Sequence, residues 1–361
     1  MKTVFAATAG LLILAMLYLL LWPVPVEPVA WAAPADQGLV DPFGPDERLG
    51  RARSLDLGGE HGPEDITAGH DGRLYATVAG GKLVQIDSYG KVSVFADVGG
   101  RALGIETDRD GSMLVANAYI GLQRVSADGS VETVLSDVNG QALVYADDLA
   151  IANDGTVYFS EASTKFGAEQ YGGTYAAALL DILEHGGHGQ IIEFNPSTGD
   201  ARIIVDALNF ANGVAISEDQ QFLLIAETGS YRILKHWLKG PKSGTTEVLL
   251  DNLPAFPDNI NNGKNGRFWI GMVSPRIRQL DALSDKPFVR KIVQRLPAAF
   301  RPRAEPYSHV IAINADGEVL ANLQDPAARF STLTGVLETR DRLYLATLFG
   351  GQLPWLDKDD L

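Results

Sequence analysis

The clearest indication of the fold is the sequence Asp148-Leu-Ala-Ile-Ala-Asn-Asp-Gly-Thr-Val-Tyr-Phe, which ends at Phe159. It contains a short apolar run, an Asp-Gly turn and a second run of aromatic and branched aliphatic residues, which is the pattern of a β-hairpin. The same order of features starts at Glu64, Asn212 and Asp258. A unit that recurs with one internal order indicates a repeat architecture.

The spacing of the turns predicts a β-propeller. Asp-Gly turns recur at residues 71, 110 and 154, close to the ~40–45 residues of a four-stranded blade. Two later gaps are longer and accommodate insertions at 164–189, with a short helix at 175–184, and at 274–307. A β-sandwich also has short strands and turn signals, but it does not explain six units of the same order. We therefore predict an all-β, six-bladed β-propeller over residues 51–361, with residues 51–57 completing the last blade as its outer strand.

The N-terminus predicts a membrane anchor. Lys2 precedes an uncharged apolar run from Val4 to Trp22, about the ~20 residues that a membrane helix needs. This predicts a transmembrane signal-anchor at residues 1–24 and a linker at 25–50. Lys2 is then expected on the cytoplasmic side, with the propeller exported to a periplasm, a lumen or the cell exterior. The small-x-small sequence Ala30-Trp-Ala keeps the alternative of a secreted protein with a cleaved signal open.

Composition excludes several functions. A formal net charge of −15 argues against a nucleic-acid partner. The chain has no cysteine, so disulfides, zinc-thiolate sites and a cysteine nucleophile are excluded. It also has no Gly-x-Ser-x-Gly elbow and no phosphate-binding glycine loop between a strand and a helix.

Four polar residues at equivalent repeat positions predict a metal site. The innermost strands of a propeller start around its central channel, so Glu64, Asp147, Asn212 and Asp258 are expected to converge there from four blades. Asn259 could supply a further oxygen. Hard oxygen donors without thiol or imidazole suit one Ca²⁺ ion. The ion could be catalytic or purely structural.

Several stretches resemble the strictosidine-synthase-like family, in the right order between about residues 64 and 350. They are Ala146-Asp-Asp-Leu, Asp154-Gly-Thr-Val-Tyr-Phe-Ser-Glu-Ala-Ser, Phe210-Ala-Asn-Gly-Val-Ala-Ile-Ser, Arg232-Ile-Leu-Lys-His-Trp-Leu-Lys-Gly-Pro-Lys-Ser-Gly and Leu253-Pro-Ala-Phe-Pro-Asp-Asn-Ile. The chain is also similar, more distantly, to gluconolactonases (senescence marker proteins) and paraoxonases. The resemblance implies a six-bladed propeller with a channel Ca²⁺ that hydrolyses lactones, aryl esters or phosphotriesters.

The resemblance also implies roles for single residues. The Glu, Asn and Asp ligands of the family fall on Glu64, Asn212 and Asp258, and its Asn-Asp pair falls on Asp147 and Asp148. An Asp at the place of an Asn ligand adds negative charge, which is expected to tighten metal binding and to weaken the Lewis acidity felt by a carbonyl. The glutamate that true synthases use as acid/base falls near Thr334, so the alkaloid-forming condensation is not expected.

These observations lead to a functional prediction. Hydrolysis at such a site needs a group that activates water, and we predict Asp148, Asp258 and His309 as catalytic candidates. The predicted function is a calcium-dependent hydrolase that acts on a small lactone or aryl-ester substrate. The alternative is a non-catalytic, membrane-tethered binding or scaffold propeller with a structural Ca²⁺ ion.

Overall fold

The structure, a computed structural model, describes residues 2–361 and consists mainly of antiparallel strands. Six four-stranded sheets follow one another along the chain. Their innermost strands contact each other in cyclic order around a central channel. The predicted six-bladed β-propeller is confirmed.

Each blade runs along the chain from its innermost strand outward. The first three blades are β2–β5 (Ile66–Ala68, Leu74–Val78, Lys82–Ile86, Val92–Asp97), β6–β9 (Ala102–Thr107, Met113–Asn117, Gly121–Val125, Val131–Leu135) and β12–β15 (Ala146–Ile151, Val157–Glu161, Gly189–Asn195, Asp200–Leu208). The last three are β16–β19 (Ala211–Ile216, Phe222–Glu227, Arg232–Trp237, Thr246–Leu250), β20–β23 (Ala255–Asn262, Phe268–Pro275, Ser308–Ile313, Val319–Asp325) and β24–β26 (Leu333–Glu338, Arg342–Thr347, Gln352–Asp357) with β1 (Arg53–Asp56). A small hairpin, β10 (Asp137–Val138) and β11 (Gln141–Ala142), precedes the third blade.

The hairpins form because their turn residues satisfy the backbone. At the turn between β12 and β13, Asp154 Oδ1 accepts a hydrogen bond from the N–H of Thr156 at 3.0 Å. Gly155 has a φ of 88°, which a glycine adopts without steric cost. The paired strands then place Leu149 opposite Phe159. Both side chains are buried in an apolar cluster shared with the preceding blade, so the core lies between adjacent blades.

The ring closes by pairing the two ends of the propeller sequence. Strand β1 pairs antiparallel with β26, so that Arg53 lies opposite Trp355 and Asp56 opposite Gln352. The predicted outer strand of the last blade is thereby confirmed. Closure in this way gives the last blade four strands, as in the other five.

Two buried aspartates join neighbouring blades at the channel wall. Asp65 Oδ2 accepts the N–H of Ile105 at 2.9 Å, and Asp148 Oδ2 accepts the N–H of Val214 at 2.9 Å. The absence of a side chain at Gly104 lets strands β6 and β12 approach closely, since a Cβ there would lie 2.7 Å from Asp148 Oδ1. These carboxylates therefore link neighbouring blades through hydrogen bonds to the backbone.

The insertions form a lid on one face of the propeller. They connect the second and third strands of the third and fifth blades, so both emerge on the face where the innermost strands begin. The lid comprises α2 (Thr174–Glu184), α3 (Arg278–Asp281) and α4 (Pro287–Arg295), which follow α1 (Lys2–Leu21) in the chain. Single 3₁₀ turns lie at Arg48–Arg51, Thr228–Ser230, Ala298–Phe300 and Lys358–Asp360.

Residues 25–50, predicted as a linker, lie against the propeller as a strap. Val26 and Leu49 are buried, and the Trp31 ring stacks on His185 with centroids 3.9 Å apart. The buried Arg290 of α4 donates hydrogen bonds to the carbonyls of Val29 and of the lid. The apolar side chains of this segment thus hold it on the lid instead of leaving it as a free stalk.

The first helix is long and apolar enough to cross a membrane. Its window from Val4 to Leu21 has a mean hydropathy of 2.5 and is not buried in the protein. The helix contacts α4 of the lid. It is a candidate membrane anchor, as the sequence predicted.

Candidate functional site

The channel opens under the lid into a cavity of about 510 Å³. All four residues of the predicted ring line it, namely Glu64, Asp147, Asn212 and Asp258. We call these four residues the acidic floor. Their common position is set by the backbone, because the ladder between the first two strands shifts register next to three of them. Such bulges re-aim a side chain that would otherwise continue the strand alternation.

The carboxylates of the acidic floor are buried and repel one another. Glu64, Asp147 and Asp258 are only 2%, 4% and 7% exposed. Burial raises the pKa of Glu64 well above its usual value, and the carboxylate of Asp258 raises it further. Burial, followed by the charge of Glu64, likewise raises the pKa of Asp147. Burial raises the pKa of Asp258 to about 7. Protons or a bound cation would relieve this repulsion between the buried carboxylates.

Unpaired oxygen atoms show that the floor suits a cation. Glu64 Oε2, Asn212 Oδ1 and Asn259 Oδ1 are buried and have no hydrogen-bond partner. Buried acceptors are normally paired, so three orphans at one site leave room for a positively charged ligand. Asn259 lies beside the floor, since its Nδ2 donates to Glu64 Oε1 at 3.1 Å. Among residues 2–361, however, no three His, Cys, Asp or Glu side chains are gathered into a ready-made metal cage. The donor chemistry fits Ca²⁺.

Asp148 does not reach the cavity. Its Oδ1 accepts the N–H of Leu149 at 2.8 Å and its Oδ2 accepts the N–H of Val214. Both oxygens therefore hold backbone amides, and the side chain is 2% exposed. Asp148, predicted as a catalytic candidate, therefore does not line the cavity, because the bulge that turns Asp147 inward turns Asp148 into the wall.

His309 also lies away from the acidic floor. It stands on β22, a third strand, where it is 1% exposed and its Nε2 is 2.8 Å from Asn322 Oδ1. It borders a separate cavity of about 410 Å³ beside the strap residue Asp36 and Arg276. Burial lowers the pKa of His309 to about 4. His309, predicted as a catalytic candidate, therefore does not line the channel cavity, because it lies on the third strand of its blade.

The cavity wall contains residues that the sequence analysis missed. Tyr145, Phe210 and Phe256 line it, each two positions before a residue of the acidic floor. The repeated pattern aromatic-x-Asp/Asn was present in the sequence and could have identified them. Tyr145 is fixed by a hydrogen bond from its hydroxyl to the carbonyl of Thr174 in the lid, at 2.8 Å.

The lid completes the wall with mainly apolar side chains. Those of α2 include Leu179, Ile182 and Leu183, and α4 contributes Val293 and Gln294. A largely apolar cavity with a few convergent polar groups is typical of a small-molecule site. This one would hold the apolar part of a ligand against the wall and its polar part on the acidic floor.

Fold and site together define a lidded six-bladed propeller with an acidic channel floor. The model of the family described as strictosidine synthase matches residues 147–241, and that of the strictosidine synthase-like N-terminal region matches residues 41–86. The Arabidopsis thaliana protein strictosidine synthase-like 6 is 31% identical over 315 residues, which cover 85% of this chain and 81% of the relative. The chain belongs to the strictosidine synthase-like family.

Two further comparisons extend this result. The adipocyte plasma membrane-associated protein of Rattus norvegicus is 29% identical over 351 residues, which cover 90% of each chain. A solved gluconolactonase from Xanthomonas campestris superposes with a TM-score of 0.63 at 18% identity, covering 92% of this chain and 96% of the other. At that identity the structural likeness establishes the fold alone.

The resemblance places the synthase glutamate near Thr334, which is not an acid. Thr334 is the second residue of β24, the innermost strand of the last blade, and its hydroxyl donates a hydrogen bond to the carbonyl of Glu64 at 2.6 Å. The nearby Glu338 is bound elsewhere, to Trp269 Nε1 at 2.8 Å and Lys358 Nζ at 2.6 Å.

Proposed function

We propose that this protein is a metal-dependent hydrolase of small lactones or aryl esters. The observation that carries the proposal is the set of orphaned, buried oxygens on the acidic floor of a largely apolar cavity. The similarity to a gluconolactonase agrees with a lactone as substrate. The missing acid at Thr334 argues against the synthase reaction.

Five residues would hold the metal ion, Glu64, Asp147, Asn212, Asp258 and Asn259. A bound Ca²⁺ would supply charge stabilisation for the oxyanion that develops on a carbonyl oxygen. The carboxylates orient the polar end of the substrate, and their mutual repulsion favours a site that is filled by a cation.

The remaining chemistry falls to the wall and to one carboxylate. Aromatic rings of Tyr145, Phe210 and Phe256 pack on the substrate and keep bulk water away from the floor. Of the three predicted catalytic residues, Asp258 lines the cavity. We propose that it accepts a proton from the attacking water. Asp148 and His309 instead have structural roles.

A non-catalytic binding propeller is the second candidate. It is favoured by the cavity lining, in which none of the described side chains is a histidine, and by the third carboxylate, Asp147. In that case the ion would hold the channel closed, and a ligand would bind above it without turnover.

We further propose that the protein is anchored by α1 with its propeller on the exported side. The apolar helix and the membrane-associated relatives support an anchor. The positively charged Lys2 supports the orientation. Intact-mass analysis tests the alternative, since a cleaved signal would remove about the first 30 residues.

The experiment that separates the two functions is an assay of the full chain in detergent against lactones and aryl esters, with and without a chelator. We expect chelator-sensitive turnover that the double variant Glu64→Gln/Asp258→Asn loses. Glu132→Gln serves as the control, because it neutralises an exposed carboxylate on an outermost strand. Turnover that is the same in all three proteins, or absent from the native one, would overturn the hydrolase assignment.

A further inference from the structure

The lid and the candidate membrane anchor meet at one arginine. Arg295, the last residue of α4, donates from Nη1 to the carbonyl of Leu19 at 3.0 Å and from Nε to that of Trp22 at 2.6 Å. The side chain of Arg295 is buried, at 7% exposed. The end of the membrane helix is therefore fixed to the lid. Trp22 is exposed at that end, as is usual for an aromatic residue at a membrane surface.

The segment that continues from this contact forms the rim of the channel cavity. Val293 and Gln294 line the cavity just before Arg295, and residues 298, 299 and 301–304 line it just after. The mouth of the cavity thus lies beside the place where α1 leaves the membrane. We call residues 286–303 the rim segment.

The rim segment exposes large aromatic side chains. Phe300 is 73% exposed and Phe288 is 56% exposed. Phe349, in the loop between β25 and β26 on the same face, is 51% exposed and packs edge-on against Tyr175 of the cavity wall. Exposed apolar groups that surround an opening mark an interaction surface.

The charge of the rim segment is opposite to that of the protein. It contains six Lys or Arg residues and no Asp or Glu, in a chain of net charge −15. Some of these side chains, such as those of Arg290 and Arg295, donate hydrogen bonds to backbone carbonyls within the protein. Arg303 is exposed at the mouth and forms no ion pair with any residue in 2–361. Basic residues next to an apolar anchor are attracted to anionic lipid headgroups.

From these four observations we propose that the rim segment docks on the anionic surface of the bilayer that α1 crosses. Phe288 and Phe300 then enter the interface and Arg303 contacts headgroups. The mouth of the cavity faces the lipid, so a lipophilic ligand can pass from the bilayer into the cavity. The consequence for substrate entry rests on the proposed hydrolase function, whereas the docking itself does not.

The absence of cysteine from the chain allows a direct test. Phe300→Cys, carrying an environment-sensitive fluorophore, is studied as the full chain in lipid nanodiscs that contain nitroxide-labelled acyl chains. The matched control is Tyr89→Cys, because Tyr89 is 95% exposed and lies in a turn between third and fourth strands, on the opposite face. We expect the nitroxide to quench the probe at 300 and to leave the probe at 89 unchanged.

The lipid charge provides the second arm of the test. Replacing phosphatidylserine by a zwitterionic lipid is expected to weaken quenching at 300. Adding Arg303→Gln to Phe300→Cys is expected to lower the ratio of docked to undocked protein about fivefold in phosphatidylserine discs. Equal quenching at 300 and 89, or none at 300, would overturn the docking. Quenching that ignores both lipid charge and Arg303 would overturn the assignment to an anionic surface. Because no turnover is measured, the result is independent of the hydrolase assignment.

Discussion

Asp147 and Asp148 are neighbours in sequence, but Asp147 lines the cavity whereas Asp148 holds backbone amides in the channel wall. We predict that Asp148→Asn destabilises the propeller while Asp147→Asn does not when a chelator is present. The Asp148 oxygens accept the N–H groups of Leu149 and Val214, and an amide can accept only one of them. A buried donor left unpaired costs about 1–3 kcal/mol, so Asp148→Asn should lose about that much stability and Asp148→Ala roughly twice as much.

Asp147→Asn removes one of three carboxylates that repel each other on the acidic floor. With chelator it should therefore be at least as stable as the native protein. With Ca²⁺ it should gain less stability than the native protein, because one predicted ligand has lost its charge.

Urea unfolding of the full chain in detergent, followed by tryptophan fluorescence with and without chelator, measures these differences. The two isosteric variants are each other's control for the change of charge. Equal stability of Asp148→Asn and the native protein, or equal losses for both variants under chelator, would refute this division of roles.

Three further predictions concern the supporting structure. Burial lowers the pKa of His309 to about 4, so on acidification the unfolded chain binds a proton at this histidine before the folded protein does. The free energy of unfolding should therefore fall by about 3 kcal/mol as the pH drops from 6.5 to 4. His309→Gln should lose that part of the pH dependence of unfolding, and an unchanged pH dependence in the variant would contradict this prediction. Gly104→Ala should lower the unfolding midpoint, because its Cβ would press on Asp148 Oδ1; a midpoint at the native value would show that the wall is looser than described. Arg290→Met should release the strap, exposing residues 25–50 to limited proteolysis, whereas native protease resistance would show that Arg290 does not hold it.

The repeats made the fold accessible from sequence. Each blade has its own turn and its own apolar strands. The segment before the first blade, which contains Arg53–Asp56, could therefore be predicted as the outer strand of the last blade. The ring position of Glu64, Asp147, Asn212 and Asp258 followed from the same repetition. The packing of the two insertions into a lid could not be predicted in this way, because the position of α2 and α4 over the channel depends on contacts between distant segments.

The errors in the site have a local cause. Nothing in the sequence shows that the ladder is bulged between Ala146 and Leu149, and this bulge decides which of Asp147 and Asp148 faces the channel. His309 was predicted as a catalytic candidate, but it lies on a third strand, behind the two strands nearest the channel. The aromatic residues of the wall were visible as a repeat, but aromatic rings at such positions fit a buried core equally well.

The central claim is that the acidic floor holds a divalent cation. Calorimetric titration of the chelator-treated full chain with Ca²⁺, in detergent, tests it most directly. We expect one ion per chain, with binding lost in Glu64→Gln/Asp258→Asn and retained in Glu132→Gln. No binding to the native chain, or equal binding to all three proteins, would contradict it.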